Sequence, residues 1–326
     1  MKLRALRTLT ALTVLSFAGV AQAGPYAISY MNIFDLEVGT FDAAGDPANF
    51  PLDGFTFASS TFARLDGVTD GDAEIGTGLL DPRQAEVGAV TLGENDYSAQ
   101  GETSPNYARA DAQIVSAQLL DGTPTQVVAI SETNLTSDAS SIGDTARNSS
   151  DTTLIVEVAN DGGTITFDFL ADLYQEIYMP TDLISPSQVR SVTTTEFSLF
   201  DADGNRIFTW LPGSGLIGSG TETFATPDAS LNIAMSRTHA DPGTTVQGTY
   251  AARPTNNLNP VDPWRFAFAS GPLAAGTYSA ELTMSTLVDA TRVTIPEPAT
   301  LAMFGLGLVG LAAAVRRRRP QSGLGF

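Results

Sequence analysis

The chain has 326 residues, one histidine, no cysteine, and 17 Lys and Arg against 36 Asp and Glu, a formal net charge of −19. Without cysteine it has no disulfide, thiolate metal site or thiol nucleophile, and one histidine builds no multi-histidine metal centre. Seven of the cations lie in the two terminal segments, so the body between them is more acidic still and would repel nucleic acid and anionic headgroups.

Met1 to Ala23 reads as a secretory signal peptide. Lys2, Arg4 and Arg7 precede the apolar stretch from Leu9 to Val20, and Ala21-Gln22-Ala23 supplies a small-x-small cleavage site. Gly24 is then the expected mature start, the secretion machinery an expected partner, and residues 24–293 an acidic extracytoplasmic domain.

That body alternates apolar and polar residues with period two, punctuated by Gly, Pro, Asn and Asp, which predicts an all-β, antiparallel β-sandwich with jelly-roll-like connections. Strands are expected over 27–38, 113–120, 126–131, 231–235 and 265–269. Residues 43–101, rich in Gly, Asp, Ala and Thr, read as short strands joined by long loops, and 136–151 as a polar loop. Leu154–Val158 and Ile165–Phe169 are expected to pair as a hairpin across Asn160-Asp161-Gly162-Gly163. A second hairpin is expected between 196–200 and 206–211. Residues 172–179 fit a helix or a strand extension equally. Tyr278, Ala280, Leu282 and Met284 fall on one face of a further strand, with Ser279, Glu281 and Thr283 on the other.

Several motifs touch on chemistry. His239 lies two residues from Asp241 in a polar turn; a general base needs such an orienting partner, but also a nucleophile, and the bland reading is a solvated side chain. No catalytic residue is assigned. Gly213 to Gly218 spells Gly-x-Gly-x-x-Gly but opens no helix, so it fails the context for a dinucleotide site. Asp201, Asp203 and Asn205 carry oxygens at alternate positions as calcium loops do, yet the glycine is displaced to Gly204 and no closing glutamate follows. A hairpin turn explains them without a metal; Asp70, Asp72 and Glu74 pose the same alternative. No cofactor is expected, calcium being the alternative. Asn134 and Asn148 head glycosylation sequons. Tyr107, Tyr250 and Trp264 would be the stacking platforms of a carbohydrate-binding module.

The C-terminal stretch has three parts in fixed order: Pro296-Glu297-Pro298, an uncharged run from Ala299 to Val315, and Arg316, Arg317, Arg318 and Arg319. As a helix, the run would span about 26 Å, enough for a bilayer core. The arginines are too costly to bury and would stay cytoplasmic, with 320–326 as a short tail. This pattern resembles the PEP-CTERM sorting signal of exported bacterial proteins, matched here over 294–319. The resemblance implies an exosortase as partner and processing enzyme. It further implies passage through the inner membrane, then delivery to the cell surface or an extracellular polysaccharide matrix. The expected function is a non-enzymatic surface or biofilm-matrix protein. The alternatives are a carbohydrate-binding β-sandwich and, third, a polysaccharide hydrolase using paired carboxylates.

Overall fold

The computed structural model describes residues 24–48, 52–77, 83–88, 106–116, 125–144, 150–158, 162–249 and 262–294. Its strands are all paired antiparallel, in two sheets between which the chain crosses repeatedly. β1 (Tyr26–Asp42) lies in the first sheet, and β2 (Leu52–Leu65) with β3 (Val68–Gly76) forms a hairpin in the second. β4 (Arg83–Gly88), β5 (Tyr107–Ser116) and β6 (Thr125–Asn134) return to the first sheet as a meander. β7 (Ala139–Asp144) and β8 (Ser150–Val158) belong to the second, and β9 (Gly163–Met179) to the first. β10 (Gln188–Asp201), β11 (Arg206–Leu211) and β12 (Gly215–Gly218) extend the second sheet. β13 (Gly220–Ala225) crosses back, β14 (Ile233–Thr238) crosses again, β15 (Gly243–Gly248) and β16 (Trp264–Ser270) join β9, and β17 (Gly276–Arg292) ends the body in the second sheet. The all-β sandwich expected from the alternation is what forms. Among the described residues no helix is long and apolar enough to cross a membrane.

Long strands carry the centre. β1 and β9, 17 residues each, pair along their lengths, as do β10 and the 17-residue β17 in the facing sheet. Shorter strands lie end to end beside them: β15 and β16 along β9, β14 and β11 along β10, β7 and β8 along β17. The core between the sheets is aromatic at one end. Phe167 and Phe169 of β9 and Phe266 and Phe268 of β16 meet Phe197 of β10 and Phe208 and Trp210 of β11, with ring centroids from 4.7 to 6.5 Å apart. Tilted and offset pairs at this spacing are the favourable aromatic geometry. The Trp210 indole N–H is satisfied by Glu222 Oε1 at 3.0 Å, which also accepts the Gly213 N–H at 3.0 Å.

At mid-sheet the contact is polar. Ser29 Oγ donates to Val192 O (3.2 Å), Ser191 Oγ donates to Ile28 O (3.1 Å), and Ser131 Oγ donates to Thr286 O (3.0 Å). These bonds tie the backbones of the two sheets together directly through short serine side chains. The first sheet also buries residues on its opposite face, where Tyr26, Ile28, Tyr30, Val128, Ile130 and Tyr174 cluster. There Tyr26 Oη donates to Glu132 Oε1 (2.9 Å) and Tyr174 Oη to Glu176 Oε2 (2.7 Å).

Three expectations are corrected. Leu154–Val158 and Ile165–Phe169 are not a hairpin: β8 pairs with β17 and β2, while β9 pairs with β1, β15 and β16, so the turn between them crosses from sheet to sheet. Both strands face the same core, and alternation does not say from which side. The 136–151 loop contains β7, and the 43–101 region contains the 14-residue β2. Residues 172–179 extend β9 as strand. The 196–200/206–211 hairpin forms as expected, with Phe197 opposite Trp210 and Leu199 opposite Phe208. Tyr278, Ala280, Leu282 and Met284 are buried together as read.

Candidate functional site at the junction end of the sandwich

One end of the sandwich gathers the start of β1, the end of β6, the start of β7 and the end of β17. The connection from β6 to β7, residues 135–138, organises this end. Leu135 is buried in the core and fixes the turn from inside. Asn106, just before β5, fixes it from outside: its Oδ1 accepts the N–H groups of Thr136 (2.8 Å) and Ser137 (2.9 Å), and its Nδ2 donates to Ser137 Oγ (2.7 Å). An amide side chain that satisfies two successive backbone donors holds a turn that would otherwise leave them to solvent.

Both ends of the body dock on this turn. At the N-terminal side, Leu135 N–H donates to Pro25 O at 3.0 Å. Gly24 packs so tightly against Leu135 that a Cβ there would sit 1.3 Å from the Leu135 carbonyl oxygen. Only glycine fits at this position. At the C-terminal side, the buried Arg292 donates through Nη1 to Leu135 O at 3.2 Å. Val293 N–H donates to Ser187 Oγ (2.8 Å), and Ile184 N–H donates to Val293 O (3.0 Å). Thr294 forms an isolated bridge with Leu183 and gives two donors to one carboxylate: its N–H to Asp138 Oδ1 (3.0 Å) and its Oγ1 to Asp138 Oδ2 (3.2 Å). The fold therefore extends one residue past the expected boundary at Val293.

The remaining sequence candidates fall as follows. Pro296, Glu297, Pro298, the apolar run 299–315, Arg316 to Arg319, and the cleavage residues Ala21 and Ala23 lie outside the described residues, as do Tyr250 and Asn148. His239 is at the junction end, where its N–H donates to Ser187 O (3.1 Å), but Asp241 pairs with Arg237 at 3.0 Å. Asp201 is committed to its own turn: Oδ1 accepts the N–H groups of Asp203 (3.0 Å) and Asn205 (2.8 Å), and Oδ2 accepts Asn205 Nδ2 (3.0 Å). The Asn205 side-chain bond, then its backbone bond, hold the Asp201 carboxyl below its ordinary range. Among the described residues no group of three or more His, Cys, Asp or Glu is arranged to hold a metal. Asp70 accepts the Glu86 N–H (2.9 Å), while Asp72 and Glu74 share Arg83 at 3.2 and 2.5 Å, so these acids tie β3 to β4. Gly213 lies in the β11–β12 turn at φ 69°, and Gly215 to Gly218 is strand β12, paired with β11. Tyr107 and Asn134 are buried, and Trp264 packs partly buried against the main core.

Residues 135–138, Ser187 and Arg292 went unread in the sequence, because their roles depend on partners far away along the chain; the Asp138–Thr294 pair spans 156 positions.

Comparison with known proteins bears mainly on the tail. No curated protein matches the chain. Among solved structures, a chain of the "Structure of infectious bursal disease virus Gt strain" aligns at 12% identity over 85% of this chain and 80% of that one, with a TM-score of 0.10, too low to bear on the fold. A family model described as the PEP-CTERM protein-sorting motif matches residues 294–319, beginning at the threonine that Asp138 holds. The chain is thus an antiparallel β-sandwich body that carries a PEP-CTERM sorting signal.

Proposed function

We propose that this is an exported, non-enzymatic surface or matrix protein whose fate is set by exosortase processing of its tail. In this reading the secretion machinery delivers the body across the inner membrane. The apolar run 299–315 holds it there with Arg316 to Arg319 inside, until cleavage at the Pro-Glu-Pro motif releases it to the cell surface or an extracellular polysaccharide matrix. The observation that carries the reading is the coincidence, within 294–319, of motif, minimal apolar span and basic cluster in the order the family requires. Pro296 and Pro298 lock φ and restrict their neighbours, so the motif is an extended, low-entropy handle for a processing enzyme.

The test is a comparison of host cells with and without the exosortase. The reading expects a trimmed, surface-located protein in the first and an untrimmed, inner-membrane protein in the second, followed by mass and cell fractionation. The same trimmed product in both would defeat it.

A further inference from the structure

The first residue of the motif match is itself fastened to the folded body. Thr294, the first residue of the motif match, gives both donors to Asp138 and bridges Leu183; Val293 is held by Ser187 and Ile184; Arg292 is buried on Leu135. From that fixed point Pro296 is two residues away, so it lies at most about 7 Å from Thr294. Ala299, where the apolar run starts, is five residues on and at most about 18 Å away. If the run from Ala299 enters the membrane, as the sorting reading has it, a folded body would be held close to the bilayer, and Ile295 is the one residue between the clasp and the motif. An enzyme that reads an extended chain must grip backbone on both sides of the bond it cuts. On the body side this chain offers it almost none while the clasp is closed.

We propose that Asp138 is a positioning residue for exosortase processing: its clasp on Thr294 withholds the Pro-Glu-Pro motif from the processing cleft, and maturation proceeds through the open state. This rests on the sorting reading above. Opening frees Thr294 and adds about 3.5 Å of tether, while Val293 stays on Ser187 and Ile184. The Asp138 clasp is exposed and adds two hydrogen bonds to one carboxylate beside the single Leu183 bridge, a set of contacts small enough to open without unfolding the sandwich.

The experiment is pulse–chase of the full-length protein in exosortase-bearing cells, following the mass shift to the mature form. Four chains are compared with wild type: Asp138→Ala, a four-residue Gly-Ser insert between Thr294 and Ile295, the two combined, and Glu297→Ala. The insert leaves the clasp intact but supplies tether. Asp138→Ala and the insert should each speed maturation, by up to about tenfold for loss of a charge-assisted pair. The combined variant should be no faster than the insert alone, because both relieve one restraint; Asp138→Asn, which keeps an acceptor, should fall between wild type and Asp138→Ala. A role for Asp138 in stability alone would not reproduce the effect of the insert or saturate with it. Wild-type rates in both single variants, slower maturation in Asp138→Ala, or fully multiplicative effects would overturn the clasp. Glu297→Ala separates the two claims: if it arrests maturation while the clasp variants run at the wild-type rate, only the clasp fails; if it matures normally, the sorting reading itself fails.

Discussion

Asp289 shows how a single side chain sets a measurable pH dependence. It lies on β17 directly across from Arg190 of β10. Burial disfavours its charge and pushes the carboxyl above its ordinary 3.8, with Arg190 pulling the other way. The folded state therefore holds this proton more tightly than the unfolded chain does. Its contribution is complete below the unfolded value and is lost as pH rises through the raised folded value. Asp289→Asn, neutral throughout, should flatten the stability profile just above 3.8 and raise the Tm at neutral pH by a few degrees. Thermal melts of wild type and variant across the acid range check this, and a lower Tm for the variant at neutral pH would contradict it. At the same scale, the two carboxylate oxygens of Asp138 hold Thr294, and the missing side chain of Gly24 lets it pack on Leu135, at the same turn.

Among the elements, β9 bears the most. It supplies Phe167 and Phe169 to the aromatic cluster and pairs with β1, β15 and β16. Phe169 stacks on Phe197 at 5.2 Å and on Phe266 at 5.4 Å, and packs on Trp210 at 5.8 Å, so it joins both sheets. Phe169→Ala should cost about 3–5 kcal/mol, because the rings on either side are fixed by their own strands and close poorly over the gap. Denaturant melts of the body measure it; a cost under about 1 kcal/mol would mean that the cluster repacks freely. The elements also show what local sequence conveys. Ile165, Phe167 and Phe169 announce their face by alternation, and the β10–β11 hairpin is announced by its Asp-Gly-Asn turn. β1 is readable as a strand, but its phase is not: Asp35 adopts φ 53° at a register shift, and the inward set changes from Ala27, Met31 and Ile33 to Leu36. β7 is hidden because Ala139 to Asp144 is Ser- and Gly-rich, and it is strand only because β17 and β2 flank it. The junction turn is invisible for the same reason; its chemistry exists only once Asn106, Asp138 and Thr294 are brought together.

At the scale of the molecule, a β-sandwich body is joined to a tail that matches the PEP-CTERM protein-sorting motif. The core, the serine bonds between sheets and the clasp all lie between residues 24 and 294, so that body expressed alone should fold without a membrane. It should give β-type circular dichroism and a cooperative melt. A disordered spectrum with no transition would contradict the sandwich. The tail was legible in the sequence because its logic is linear: a Pro-Glu-Pro motif, an uncharged apolar run and a charge cluster, each recognisable without knowing what it touches. The faces on which the body's tyrosines and acids fall were not, since only the strand pairing defines them. The central claim is that Glu297 is read by a protein and is not merely a solvated charge beside an anchor. The measurement is the mass and location of the Glu297→Ala protein in exosortase-bearing cells. The account predicts that it remains untrimmed in the inner membrane, fully inserted; a C-terminally trimmed protein at the surface would contradict it.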